Sequence, residues 1–302
     1  MMKLTILGCH SATPRENKHT TSQLLEVKGH LFLIDCGEGT QIQLRKTKVK
    51  FSRIQHIFIL HLHGAHFYGL IGLISTFRLL GRTSPLTIYG PVGIKEIITL
   101  QLKHAKSWTS YPLHFHELTL KTSEVIFEDE SIRIQTLPLD HRVYTNGFLF
   151  STVSTKRKIN VNKLITFNLK PFQFQQLQNG ESITLDDGRV LENEVYTIDP
   201  EESKKYAYCS DTAYFEPLIP LIKKVDLLYH ESTFIETNSE LAKKTKHSTA
   251  FQAATIASKA MVKKLILGHF SNRYPDKKIF IEEASKVYEN VILAEDLKTF
   301  SV

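Results

Sequence analysis

Short apolar runs of strand length dominate the first 140 positions of the chain. Alternating or continuous apolar segments bounded by turn residues predict strands at 3–7, 22–27, 30–35, 54–60, 86–90, 114–118, 124–128 and 131–138. The segment 66–80 is apolar on most sides, which favours a helix packed between other elements. A second helix is predicted over 91–107, with Pro91 near its first turn.

The last hundred residues alternate between strand and helix patterns. Strands are predicted at 206–210, 227–231, 264–269 and 291–295, and helices at 216–225, 249–261 and 276–288. Two strand-rich halves, each with helices outside, predict an α/β fold organised as a four-layer αββα sandwich.

Residues 151–200 differ in character from both halves. They contain the basic run KRK at 156–158, a polar stretch at 172–182 and the sequence DDGR at 186–189, which is typical of a hairpin turn. We interpret 151–200 as an insertion that stands off the core, and call it the arm.

Composition narrows the class of protein only partly. The chain has 302 residues, of which 42% are apolar, so a substantial core is possible, and its formal net charge is +7. That excess suits an anionic partner such as nucleic acid, although many basic proteins have none. The three widely spaced cysteines include no CxxC pair, and no run has the length of a membrane helix or of a signal-peptide core. We expect a soluble cytoplasmic protein.

Three histidines in the hexapeptide HLHGAH, at 61–66, are the first sign of chemistry. His61 and His63 follow a predicted strand two positions apart, so their side chains leave on the same face, and His66 lies on the first turn of the next helix. Neutral imidazole is a common zinc ligand, but three polar surface histidines are an equally good reading of this hexapeptide alone.

Further candidate ligands shift the balance towards a metal site. His141 follows one predicted strand, and Asp211 and His269 end two others. Metal sites in sheet proteins are often built from such strand ends, on loops held by a rigid scaffold.

Seven motifs in order make the chain similar to one known family. FLIDCGEGTQIQL (32–44), HLHGAHFYGL (61–70), DHRV (140–143), CSDT (209–212), YHESTF (229–234), KHSTA (246–250) and GHFSNRY (268–274) span nearly the whole chain. Together they resemble the ribonuclease Z family of tRNA 3′-processing endonucleases. The resemblance implies a metallo-β-lactamase sandwich over 1–302, in which the arm at 151–200 grips the tRNA.

The resemblance also implies two zinc ions that share one carboxylate. His61, His63 and His141 match the ligands of the first ion and His66 and His269 those of the second, with Asp211 as the bridge. Such a pair clamps a phosphodiester for in-line hydrolysis.

Three other residues match supporting or catalytic positions of the family. Asp35 matches a supporting aspartate, which we expect to orient a loop or a ligand histidine. Glu231 and His247 match a pair that assists proton transfer to the leaving 3′ oxygen. The alternative for His247 is that it merely begins the helix near 248, with Ser248 or Thr249 as the cap.

Ala65 departs from the family pattern, which implies an aspartate at this position as ligand of the second metal and general base. A methyl group does neither, so we expect a folded protein with a weakened second site and little or no cleavage. The alanine is either a deliberate change that retains RNA binding, which the intact remainder of the ligand set favours, or a natural loss.

Expected substrate contacts and partners complete the hypothesis. Lys156, Arg157, Lys158 and Lys163 in the arm, and Arg273 near the site, are candidates for phosphate contacts, although solvated lysines and an ordinary salt bridge are the simpler alternatives. Precursor tRNA is the expected partner, and the family suggests a homodimer. The alternatives are another binuclear-zinc phosphodiesterase of the same fold and a catalytically dead tRNA-binding homologue.

Overall fold

Two seven-stranded mixed sheets form the framework of the protein in the computed structural model, which describes residues 2–154 and 156–302. Their order is β18-β1-β2-β3-β4-β5-β6 and β17-β16-β15-β14-β9-β8-β7. The strands are β1 (Met2–Gly8), β2 (Ser22–Val27), β3 (His30–Ile34), β4 (Ile54–Phe58), β5 (Leu86–Pro91), β6 (Leu113–Leu118), β7 (Val125–Glu128), β8 (Ile132–Pro138), β9 (Asn146–Thr152), β10 (Lys158–Ile159), β11 (Ile183–Thr184), β12 (Val190–Leu191), β13 (Thr197–Ile198), β14 (Lys205–Cys209), β15 (Leu227–Glu231), β16 (Leu265–Gly268), β17 (Val291–Leu293) and β18 (Thr299–Ser301).

Helices lie outside the sheets or in the arm. They are α1 (Thr40–Lys46), α2 (Gly64–Phe67), α3 (Leu70–Leu79), α4 (Ile94–His104), α5 (Val161–Leu164), α6 (Pro171–Gln178), α7 (Asn193–Tyr196), α8 (Ser239–Thr245), α9 (Ala250–Lys259) and α10 (Lys278–Ala284). Among the described residues, no helix combines the length and apolar character that crossing a bilayer requires.

Alternation along the strands divides the core into two layers. In β3, Phe32 faces the second sheet, where its ring lies 5.8 Å from that of Phe150, whereas Leu33 belongs to the outer cluster under α1, α3 and α4. The helices α9 and α10 cover the other sheet through Ala253, Ala257 and Phe280. Each sheet therefore has an apolar face on both sides, which confirms the four-layer αββα sandwich.

The arm has elements and an apolar cluster of its own. Strand β10 pairs with β13 at its base, and β11 pairs with β12 through the turn at 186–189 that the sequence predicts. Its buried cluster consists of Leu164, Leu177, Ile183 and Leu191.

Several predicted elements differ from the structure. The helix predicted over 216–225 is wrong: a 3-10 turn, Glu216–Leu218, is followed only by turns, because Pro217 fits a first turn but Pro220 lacks the N–H that a continuing helix needs. The helix predicted over 66–80 is split into α2 and α3. A Cβ at Gly69 would lie 2.1 Å from the carbonyl oxygen of Gly37, and the Gly69 N–H donates to the carbonyl oxygen of Cys36 instead of to the preceding helical turn, which separates the two helices.

Two strands and one helix start were also misjudged. Strand β9 occupies the middle of the second sheet and ends at Thr152, so the first two positions of 151–200 belong to the sheet. The short β18 pairs with β1 and was not predicted. Pro91 ends β5 instead of starting a helix, and α4 begins after Gly93, whose N–H donates to Glu117 Oε1 at 2.7 Å.

Candidate metal centre

The candidate ligands gather where parallel strands end. The loop after β4 carries His61 and His63, and the ends of β14 and β16 lead directly into Asp211 and His269. The β8–β9 loop adds His141. Ligand sites in open α/β sheets lie beyond the carboxyl ends of the strands, and the present cluster follows that rule.

Three residues at this edge adopt left-handed backbone conformations that are uncommon outside glycine. The φ angles are 57° at Asp35, 52° at Asp211 and 59° at His269. Such conformations cost free energy and persist only when their surroundings fix them, and they cluster at functional sites.

His61, His63 and His141 form the first donor group. One ring nitrogen from each lies within 4.8 Å of the others. The Nδ1–H of His141 donates to the carbonyl oxygen of Lys246 at 2.8 Å, which leaves Nε2 as the free lone pair. Burial is the largest cause that lowers the pKa of all three rings below the ordinary value, which favours the neutral form that binds metals.

His66 and His269 meet Asp211 in the second donor group. Their Nε2 atoms lie 3.0 and 3.3 Å from Asp211 Oδ2. The far nitrogens are fixed: His66 Nδ1 lies 2.7 Å from Asp35 Oδ2, and His269 Nδ1 lies 2.8 Å from the Thr233 hydroxyl. Burial alone would lower the pKa of His66, but the carboxylates of Asp211 and Asp35 outweigh it and raise the pKa to about 10.

The two groups fit a pair of metal ions. Both ring nitrogens of His61 and Nε2 of His141 are buried and have no hydrogen-bond partner among the residues that the structure describes, although unpartnered buried polar atoms are rare. Burial by itself would raise the pKa of Asp211, but the surrounding histidines hold it well below the usual range. Imidazole and carboxylate donors of this kind suit zinc.

Glu231 and His247 form an ion pair beside the donors. Glu231 Oε1 lies 2.7 Å from His247 Nδ1, and the carboxylate also accepts the backbone N–H groups of Thr212 and Thr233. Burial alone would lower the pKa of His247, but Glu231 raises it to about 9. Helix α9 begins at Ala250 with Thr249 as its cap, so His247 is not needed to start the helix.

Ala65 lies on the first turn of α2 and lines a cavity of about 400 Å³. Other walls of this cavity, called the main cavity below, come from His63, His66, Asp211 and His247. A longer side chain at position 65 would therefore have space towards the donors.

The predicted RNA-contact residues lie apart from these donors. Arg273 is exposed on the loop after His269. In the arm, Lys156 and Lys158 are exposed, whereas Arg157 is held by an ion pair with Asp199 and a 2.7 Å bond to Thr197 Oγ1. Arg157 thus stabilises the base of the arm.

Sequence reasoning missed three residues that the geometry brings in. The Thr233 hydroxyl contacts both Glu231, at 2.5 Å, and His269. The buried Tyr208 hydroxyl donates to Asp35 Oδ2 at 2.6 Å. Arg142 lines the main cavity. Thr233 and Arg142 lie inside the motifs YHESTF and DHRV, so their positions were a signal, but their contacts were not readable from the sequence.

Sequence comparisons connect the whole chain with known proteins. It is 44% identical over 97% of its length to ribonuclease Z of Bacteroides fragilis, covering 97% of that protein. It is 40% identical over 96% of its length to ribonuclease Z of Porphyromonas gingivalis, again covering 96% of that protein. Residues 2–159 match the family model described as Anti-Pycsar protein Apyc1, a match that ends before Asp211 and His269.

Solved structures agree with these relatives. Human tRNase Z, short form, superposes with a TM-score of 0.71 at 29% identity, covering 99% of this chain and 98% of the human one. The metallo-beta-lactamase fold protein YhfI from Bacillus subtilis gives a TM-score of 0.70 at 18% identity over the full length of both chains, which supports the fold alone.

Proposed function

Because this chain belongs to the ribonuclease Z family, we propose that it binds precursor tRNA and carries the machinery to remove the 3′ trailer by phosphodiester hydrolysis. The observation that supports this most is the convergence of six donor side chains beside the Glu231–His247 pair; four of the six, His63, His66, Asp211 and His269, line the main cavity. Cleavage would leave a 3′ hydroxyl on the tRNA.

His61, His63 and His141 would hold one zinc ion, His66 and His269 the second, and Asp211 both. When bound, the pair supplies Lewis-acid polarisation of the phosphodiester and acidifies the attacking water. Asp35 and Thr233 orient His66 and His269 by occupying their far nitrogens.

His247 is the group that protonates the leaving 3′ oxygen. Its Nδ1 is bound to Glu231, so Nε2 is the nitrogen that can donate into the cavity. A pKa near 9 keeps the ring protonated at neutral pH, as a general acid requires.

Ala65 leaves this machinery without a general base. A positioned acid–base group contributes about 10²–10⁴-fold to rate, so the chain should cleave slowly or not at all while retaining RNA binding. Loss of the carboxylate also weakens the second zinc site.

The arm is proposed to contact the tRNA through Lys156 and Lys158, which are exposed. In the Ala65→Asp background, charge reversal of both lysines should weaken tRNA binding and reduce the salt dependence of that binding by about two charges, while hydrolysis of a small phosphodiester is unchanged. An equal loss of activity towards tRNA and towards the small phosphodiester would contradict a role in RNA binding.

We also propose that the protein forms a homodimer, and sedimentation equilibrium measures this oligomeric state directly.

The deciding experiment compares the parent chain with Ala65→Asp, both saturated with zinc. We expect both to bind precursor tRNA, and we expect Ala65→Asp to cleave it about 10²-fold or more faster than the parent chain does. The double variant Ala65→Asp/His247→Gln is the matched control and should lose most of the gain.

Each failure has a separate meaning. Absence of tRNA binding refutes the proposed substrate. Binding without cleavage by Ala65→Asp favours the non-catalytic tRNA-binding alternative. Cleavage of a small phosphodiester but not of tRNA favours another phosphodiesterase of the same fold.

A further inference from the structure

A second cavity of about 410 Å³ lies behind the His141 loop. Its walls come from the segment 138–146, from Lys121 and from Phe215. Arg142 lines both the second cavity and the main cavity, so the two cavities are neighbours and share this residue. The volume is within the range of small-molecule sites, about 300–1,000 Å³.

Aromatic and aliphatic side chains give the second cavity flat apolar walls. Leu139, Tyr144 and Phe215 line it, and all three are partly buried against the core. The Tyr144 hydroxyl donates to the carbonyl oxygen of Leu120 at 2.9 Å and accepts from Asn146 Nδ2 at 2.6 Å, so the ring is held in place. Fixed rings of this kind are surfaces on which unpaired bases stack.

The charge of the second cavity is positive. Arg142 and Lys121 are exposed and make no ion pair within the described part of the chain. Asp140 also lines the cavity, but the ammonium of Lys246 lies 2.8 Å from its carboxylate and offsets its charge. Two cationic side chains beside aromatic rings can bind a nucleotide, because the cations attract its phosphate and the rings stack on its base.

We propose that the second cavity binds a nucleotide next to the scissile phosphodiester, with its base against Phe215 and Tyr144 and its phosphate towards Arg142 and Lys121. This inference rests on the proposed function, since it assumes an RNA in the main cavity. A nucleotide on the tRNA side and one on the trailer side of the scissile bond both offer a base and a phosphate, so the experiment must distinguish these two positions.

The test measures dissociation constants of the zinc-loaded parent chain, whose slow cleavage keeps the RNA intact, for mature tRNA and for the same tRNA with trailers of one, two and four nucleotides. Gel analysis after each titration verifies intact RNA. Phe215→Ala and Lys121→Ala remove one wall each. Trp108→Ala and Lys103→Ala remove an exposed aromatic ring and an exposed cation elsewhere, as matched controls.

If the cavity binds the first trailer nucleotide, the parent chain binds tRNA with a trailer more tightly than mature tRNA. Phe215→Ala and Lys121→Ala should each weaken binding of the trailer-bearing tRNA by about 5- to 100-fold and leave the affinity for mature tRNA unchanged. If it binds the nucleotide on the other side, both variants weaken mature tRNA by a similar factor. The controls should match the parent, and Phe215→Trp, which keeps a stacking surface, should retain affinity and exclude a folding defect.

The proposal would be overturned if the parent, Phe215→Ala and Lys121→Ala bound every RNA with equal affinity. It would also be overturned if Phe215→Trp lost as much RNA affinity as Phe215→Ala. A parent that binds no tRNA at all would instead refute the proposed function, which the titration with mature tRNA reveals before any variant is compared.

Discussion

Replacing Asp35 with asparagine tests whether this carboxylate is the main fixed point of the candidate site. Asp35 is fully buried, and its oxygens accept the N–H of Leu60 at 2.9 Å, the hydroxyl of Tyr208 at 2.6 Å and Nδ1–H of His66 at 2.7 Å. Asparagine tolerates the φ of 57° as well as aspartate does, so Asp35→Asn changes the acceptors and the charge without adding backbone strain.

The expected cost follows from counting acceptors. The amide of asparagine offers one oxygen, which in the better orientation keeps the Tyr208 and His66 bonds as weaker, neutral bonds. Its NH₂ group then faces the buried N–H of Leu60, and an unsatisfied buried donor costs about 1–3 kcal/mol. The bonds to Tyr208 and His66 also become weaker because the acceptor loses its charge. Together these two effects should lower the free energy of unfolding of Asp35→Asn by about 2–4 kcal/mol.

Urea unfolding in the presence of a chelator is the suitable assay, because a bound metal would add its own stabilisation. Tyr208→Phe is the matched control: it removes one of the three donors and should cost about 1 kcal/mol. A change below about 0.5 kcal/mol for Asp35→Asn, or an equal loss in Tyr208→Phe, would refute the counting on which the estimate is based.

Three further changes probe other parts of the molecule. Burial, followed by the nearby His30, lowers the pKa of His56 to about 4, so between pH 6.5 and 4 the unfolded chain binds a proton that the folded one does not. His56→Phe should therefore lose less stability than the parent as pH falls through that window, and parallel urea profiles would contradict this. Metal analysis should find about one zinc per parent chain and about two in Ala65→Asp, and two in both would show that position 65 is no ligand. Gly147→Ala should cost about 3 kcal/mol or more, because its Cβ would lie 2.3 Å from the carbonyl oxygen of Tyr208, whereas Gly29→Ala, with a φ of 87° but free space, should cost only about 1 kcal/mol.

The layered fold was readable from the sequence because strand-length apolar runs and the alternation of strand and helix survive in the local pattern. The failures have local causes. Apolar spacing at 216–225 mimics a helix, but Pro220 removes a required donor. Strand β9 begins with Asn146 and Gly147, which resemble a turn, yet both are buried in the middle of a sheet.

Motifs in the sequence pointed to the candidate ligands and to Asp35 as a supporting residue, whereas the other supporting contacts could not be predicted. Thr233 bridges Glu231 and His269, and Lys246 offers a backbone carbonyl to His141 across 105 positions. Neither contact leaves a periodic or compositional signal, because it depends on how distant strand ends meet. Only coordinates supply that information.

The contacts that hold the donor histidines in place are formed without any contribution from the methyl group of Ala65. Asp35 fixes His66, Thr233 fixes His269 and Lys246 fixes His141, and each of these contacts is formed with alanine at position 65. None of these three supports involves the side chain of residue 65. Restoring a carboxylate there should leave the free energy of unfolding of the chelated protein nearly unchanged while it alters zinc content and cleavage.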